Sequence, residues 1–118
     1  MGNVKSYKDL IMWQKAKDFV IRLYKATDRF PREETYGLTS QLRRAGVSIP
    51  SNIAEGFNRK HSGEKTQFLR IAYGSGAEVE TQLIIALELG YLSGVEYAAL
   101  EAELGEVMKM INTVLNKL

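Results

Sequence analysis

The stretch Leu100-Glu101-Ala102-Glu103-Leu104-Gly105-Glu106-Val107-Met108-Lys109-Met110-Ile111-Asn112-Thr113-Val114-Leu115-Asn116-Lys117-Leu118 places aliphatic residues at 100, 104, 107, 111, 114 and 118. Steps of four, three, four, three and four form a heptad seam, the spacing of helices that pack nearly parallel to their neighbours. Just upstream, Ser93-Gly94-Val95-Glu96 holds the serine and the glutamate three residues later that cap a helix start reciprocally. This stretch reads as one amphipathic helix that needs others beside it.

The rest of the chain supplies three such helices. From Asp9 to Thr27, Leu10, Trp13, Ala16, Val20, Leu23 and Tyr24 form one stripe, with Lys15, Lys17, Asp18, Arg22 and Lys25 on the other side. Asp9 is placed to cap this helix or to favour its first turn, and Pro31 after Phe30 ends it. A second helix is expected from Glu33–Tyr36 to about Arg59, with Leu38, Leu42, Ala45, Ile49 and Ile53 buried. Pro50 lies inside it and removes one hydrogen bond, but the carbonyl it meets belongs to Gly46, which can yield. A continuous helix kinked at Pro50 is expected.

The third helix is expected from Ser62, as its cap, to Leu89, with Gly90 as a left-handed stop. Its buried stripe reads Phe68, Ile71, Ala72, Ser75, Val79, Leu83, Ala86 and Leu87. Gly74 and Gly76 interrupt it, and each mid-helix glycine costs about 1 kcal/mol relative to alanine. A backbone approaching closely is the expected compensation. Four amphipathic helices of about 20 residues, each roughly 30 Å long, with short links, predict an all-α antiparallel up-down four-helix bundle spanning 1–118 as one domain. No repeat or low-complexity tract is present.

Composition narrows the chemistry. At 118 residues, 45% apolar and 25% charged, the chain has the make-up of a globular domain. It contains no cysteine, which excludes disulfides, thiolate metal sites and a cysteine nucleophile. The start Met1-Gly2-Asn3-Val4-Lys5-Ser6 lacks the pattern of a signal peptide. The longest uncharged run, Ala45 to Ala54, is too short to span a bilayer, which takes about 20 residues. A cytoplasmic protein without membrane attachment is expected.

The single histidine, His61, sits at the junction of the second and third helices with no second histidine or cysteine to share a metal. No Glu-x-x-His pair of the di-iron bundles occurs, and no metal or cofactor is expected. Glu55, Glu78 and Glu80 are the acids available for acid–base work. Glu78 and Glu80 point about 200° apart on a helix, so at most one faces inward, where an ion pair with Arg43 or Arg44 is the simpler role. Gly74-Ser75-Gly76 lacks the Gly-Lys-Ser/Thr of a phosphate loop and lies within a helical pattern. No enzyme is expected.

Charge is uneven along the chain. Residues 1–60 hold twelve Lys and Arg against six Asp and Glu, whereas 61–118 hold four against eight. Such asymmetry suits a nucleic-acid partner, charge-complementary packing of subunits, or solvated basic and acidic helices. The candidate nucleic-acid contacts are Lys15, Lys17, Arg22, Lys25, Arg29, Arg43, Arg44, Arg59 and Lys60. Clustered cations suffice for salt-dependent phosphate binding, though no recognition motif accompanies them.

The run Leu38-Thr39-Ser40-Gln41-Leu42-Arg43-Arg44-Ala45-Gly46-Val47-Ser48-Ile49-Pro50-Ser51-Asn52-Ile53-Ala54-Glu55-Gly56-Phe57 is far more specific. With Asp9-Leu10, Trp13-Gln14-Lys15-Ala16, Phe30-Pro31, Tyr36-Gly37, Phe68-Leu69-Arg70-Ile71-Ala72, Gly74-Ser75, Glu80-Thr81-Gln82-Leu83 and Gly90-Tyr91-Leu92, it resembles the bacterial four-helix-bundle proteins encoded in intervening sequences of large-subunit ribosomal RNA genes. The likeness covers about residues 8–92. It implies a ring-like homopentamer with a basic surface, similar to the accessory variability protein of diversity-generating retroelements, and hence RNA or DNA, or a reverse transcriptase or other protein, as partner. Gly76 and Gly46 depart from the usual larger residue and alanine of that family. Arg43, Ser48, Asn52, Glu55 and Glu78 form a candidate structural polar network around Pro50, with Ser48, Ser51 and Asn52 able to satisfy backbone groups there. The alternative is a protein–protein interaction scaffold.

Overall fold

A computed structural model of the chain describes residues 4–118. Four α-helices make up most of it: α1 (Ile11–Thr27), α2 (Leu38–Phe57), α3 (Ser62–Glu88) and α4 (Gly94–Leu115), with no strand among the described residues. Each helix packs on two others, α1 and α3 both lying against α2 and α4, while the backbones across each diagonal stay apart. The result is the antiparallel four-helix bundle, 44 × 24 × 21 Å.

Local chemistry sets the ends of the helices. A short 3-10 turn, Tyr7–Asp9, precedes α1; its cap is Ser6, and the Asp9 carboxylate accepts from the Lys5 and Ser6 amides. Asp9 therefore caps this turn rather than α1, which begins two residues later than its apolar spacing suggests. A second 3-10 turn, Arg32–Glu34, delays α2 to Leu38. Glu34 Oε1 accepts from the Leu38 amide at 3.0 Å, a cap reaching forward from outside the helix. α2 continues through Pro50 without a break.

The expected cap of α3, Ser62, is its first helical residue, and His61 holds the cap position without a side-chain bond. At the other end Gly90 adopts φ +82°, and the Gly90 and Tyr91 amides donate to the Leu87 and Ala86 carbonyls. This is the left-handed stop of a Schellman ending. The Ser93–Glu96 capping box forms in full, with both bonds at 3.0 Å.

One core runs through the bundle, including Phe19 and Leu23 of α1, Leu42, Ile49 and Ile53 of α2, Val79 and Leu83 of α3, and Leu104 and Ile111 of α4. Burying each such side chain stabilises the fold by about 1.5–3 kcal/mol. The stripes of α2 and α4 match the sequence pattern, except that Leu38 and Val114 are only partly buried and Leu118 lies past the end of α4 and is exposed. In α1, Phe19 is buried and Tyr24 is exposed. In α3, Leu69 is buried and Ile71 exposed. Both helices are turned slightly from their expected faces, because each has apolar residues on more than one side and only the neighbours decide which side is covered.

The two α3 glycines also part company. A Cβ on Gly76 would overlap the thioether of Met108 on α4, so a side chain, and not the expected backbone, fills the space there. Gly74 is exposed and a Cβ would meet nothing within 4 Å, so no contact explains it. Gly46 makes room for α1: a Cβ there would lie 2.7 Å from Leu23 Cδ2.

Candidate nucleic-acid interface

The bundle divides the nine candidate cations into three groups. Lys15 and Arg22 of α1 and Arg29, two residues past its end, pair with Glu106, Glu103 and Glu96 of α4, the first at 3.1 Å. α1 and α4 run antiparallel, so residues rising along one helix meet residues falling along the other. These three cations are therefore matched by an acidic ladder and offer little net charge to a ligand.

Lys17, Arg43 and Arg59 also have acidic partners. Lys17 lies 3.3 Å from Asp18, and Arg59 lies 3.5 Å from Glu55, one turn before it in α2. Arg43 is anchored most firmly. Its Nε donates to Thr27 Oγ1 at 2.9 Å, and one terminal nitrogen donates to the Tyr24 carbonyl at 3.1 Å and to Asp28 at 3.3 Å. Its guanidinium lies 4.4 Å from the centre of the Tyr24 ring. A planar cation donating to the last carbonyls of α1 suits a helix C-terminus, and that is a structural task. The third group, Lys25, Arg44 and Lys60, is exposed and has no acidic partner within 4 Å among the described residues.

The proposed polar network is smaller than expected and has a different third member. Ser75 of α3 donates to Ser48 Oγ at 2.8 Å, and Asn52 Nδ2 donates to the Ser48 carbonyl and hydroxyl at 2.8 and 2.9 Å. Arg43, Glu55 and Glu78 do not join it. Arg43 is held by α1, Glu55 by Arg59, and Glu78 lines a cleft of about 350 Å³ with Gln41, Arg44, Ala45, Ser48 and Ser75. Glu55 and Glu78 are thus not brought together as a carboxylate pair. Among the described residues no three His, Asp or Glu side chains cluster as metal ligands would, and no helix is long and apolar enough to cross a membrane.

Topology gathers cations that summation along the chain separates. The start of α1 and α3 and the end of α2 and α4 meet at one end of the bundle, around a cavity of about 190 Å³ lined by Leu10, Met12, Phe57, Lys65, Val114 and Leu118 among others. Lys5, Lys8, Arg59, Lys60, Lys65 and Lys117 belong to this end, against Asp9, Glu55 and Glu64. Lys65 donates to the Phe57 carbonyl at 3.1 Å, and Asp9 is engaged by backbone amides. Lys65 and Lys117 come from the acidic half of the chain, so counting by halves hides them. Counting charge by helix end would have found them.

A second, more open groove of about 420 Å³ runs up from this end between α1 and α4, lined mainly by Leu10, Ile11, Met12, Met110 and Val114.

The family model described as 23S rRNA-intervening sequence protein matches residues 8–113. No curated protein matches the chain. Among solved structures, the bundle is similar to a protein with unknown function from the S23 ribosomal protein family of Bacteroides thetaiotaomicron VPI-5482, with a TM-score of 0.81 and 21% identity, covering 89% of this chain and 98% of that one.

Proposed function

Because the chain belongs to the 23S rRNA-intervening sequence protein family, we propose that it acts as a non-enzymatic homo-oligomeric bundle, a pentamer, whose basic surface binds nucleic acid in an accessory role. The observation that carries this reading is the basic end: Lys5, Lys8, Arg59, Lys60, Lys65 and Lys117 brought together from four helix ends, with half as many acids. Cations gathered on one small surface bind phosphates through counterion release without needing a base-reading motif. Lys25 and Arg44 are exposed cations elsewhere on the bundle with no acidic partner within 4 Å among the described residues. The α1–α4 ladder, neutralised by Glu96, Glu103 and Glu106, is not part of this surface.

Fluorescence anisotropy of labelled RNA and DNA tests it. Affinity should fall steeply between about 50 and 200 mM salt. Replacing Arg59, Lys60 and Lys65 together by glutamine should weaken binding and flatten the salt slope, while replacing Lys15 and Arg22 should leave both nearly unchanged. Absence of binding even at low salt removes the reading.

One observation favours a protein scaffold as the second reading. The outward side of α3 exposes five large apolar residues, more than contact with water alone calls for. Protein partners that survive nuclease treatment in a pull-down would favour it over the first.

A further inference from the structure

Part of the seam between α2 and α3 is polar, although the facing sides of bundled helices are ordinarily apolar. Ser75 of α3 donates to Ser48 of α2 at 2.8 Å, and two helical turns away Gln82 of α3 reaches Gln41 of α2 at 3.4 Å. Both α3 residues are buried, Ser75 to 9% exposure and Gln82 to 6%. Between these two rungs lies the cleft of about 350 Å³ lined by Gln41, Arg44, Ala45, Ser48, Ser75 and Glu78.

Three bonding capacities at this cleft are unused. Arg44 and Glu78 line the same space, yet neither has an ion-pair partner within 4 Å among the described residues. A guanidinium and a carboxylate that share a cleft without closing on each other leave room for a molecule between them. The Ser48 hydroxyl oxygen accepts from both Ser75 and Asn52, so its own hydrogen is left to donate. Gln82 Oε1 is buried and accepts from no group among the described residues. A buried acceptor without a donor marks a missing partner.

We propose that this cleft binds a free α-amino acid through its two backbone charges. The ligand carboxylate matches the planar fork of Arg44, which can hold both oxygens at once, and takes the spare Ser48 hydrogen. The ligand ammonium brings three hydrogens to the side where Glu78, Gln41 and Gln82 all offer oxygens. The Gln41–Gln82 contact is long for a hydrogen bond, and opening it uncovers the unpaired oxygen of Gln82. A ligand with one charge would leave either Arg44 or Glu78 unmatched, which selects a zwitterion. Ala45 is the only apolar residue of the lining, so small polar amino acids fit better than large apolar ones. The volume lies within the range of small-molecule sites, about 300–1,000 Å³. All six lining residues stand on two packed helices, which hold the opposed charges in place before a ligand arrives. Amino-acid binding here does not depend on the nucleic-acid reading.

Amide chemical shifts followed by NMR while each common amino acid is titrated into the whole chain test the site. Small polar amino acids should shift amides within 41–48 and 75–82 and saturate them at millimolar concentration. Arg44→Gln and Glu78→Gln should each weaken binding by about tenfold or more. Both sites are exposed, and an otherwise unchanged spectrum would show that the bundle persists. Analogues assign the two charges. N-acetylation of the ligand should cost wild type as much as Glu78→Gln does and cost Glu78→Gln nothing further. Amidation of the ligand carboxylate should behave in the same way with Arg44→Gln. Absence of shifts at these amides with every amino acid overturns the proposal. So does binding that acetylation and amidation leave unchanged.

Discussion

Met108 of α4 occupies the space that a side chain on Gly76 of α3 would need. The thioether fills the gap beside Gly76 in place of a methyl group, and a side chain there would force Met108 to move. Gly76→Ala should lose in urea unfolding the roughly 1 kcal/mol that alanine otherwise gains in a helix, because Met108 must give up its place to the methyl group. Met108→Ala in the same chain should recover part of that loss. Gly74, two residues earlier and facing solvent, has no such neighbour, and Gly74→Ala should stabilise by about 1 kcal/mol. Equal effects at the two glycines would contradict the packing described.

Glu34 ties two parts of the chain together. One carboxylate oxygen accepts from the Leu38 amide at the start of α2, and the other accepts from the Tyr91 hydroxyl between α3 and α4, both at 3.0 Å. Glu34→Ala removes a cap and should cost about 0.5–2 kcal/mol, measured by thermal unfolding at neutral pH.

The same contact gives a dependence on alkaline pH. The hydrogen bond to Glu34 is the main cause that raises the Tyr91 phenol above its ordinary value, with burial and the charges of Glu34 and Glu33 adding to it. A group whose pKa is raised on folding contributes stability that is complete below its unfolded value, about 10 for tyrosine, and that fades as pH climbs through the folded value. Melting temperature should drop as pH climbs above about 10, and Tyr91→Phe should reduce that drop. An identical alkaline profile for the two proteins would refute the assignment.

Arg43 is predicted to resist its conservative replacement. Lysine keeps the charge but cannot reach the Thr27 hydroxyl and the Tyr24 carbonyl with separate nitrogens while lying on the Tyr24 ring. Hydrogen bonds to charged groups contribute about 1.5–3 kcal/mol, and Arg43→Lys should lose a substantial part of that, with Arg43→Ala losing more. Chemical denaturation of the three proteins orders them.

The α1–α4 ladder should contribute little per pair. Its cations are solvent-exposed, although Glu96 and Glu103 are covered over about two thirds of their side chains, and pairs at the surface are worth about 0.2–1 kcal/mol. Glu103→Gln should lower stability by that amount at low ionic strength and by less in 0.5 M salt, where screening is stronger.

Much of the fold was legible because its signals are local. The Ser93–Glu96 box, the stop at Gly90 and the buried positions from Leu100 to Ile111 each depend on residues within a turn or two, which sequence spacing reports directly. Legibility failed where a helix had more than one apolar side. Tyr24 and Ile71 fit their stripes as well as Phe19 and Leu69 do, and only the packed neighbours select between them. The site was harder still. Lys15, Arg22 and Arg29 read as a basic face, yet their partners lie 91, 81 and 67 residues away.

The sequence by itself determined four helices, the Ser93–Glu96 start, the Gly90 stop and the apolar surface that makes the helices pack, because these follow from contacts between near neighbours on the chain. Only the tertiary structure decided which cations are neutralised and which remain free, that Lys65 and Lys117 join Arg59 and Lys60 at one end, and which apolar side of α3 is left uncovered. Charge and exposure are properties of a surface, and the surface exists only once distant segments have been laid side by side.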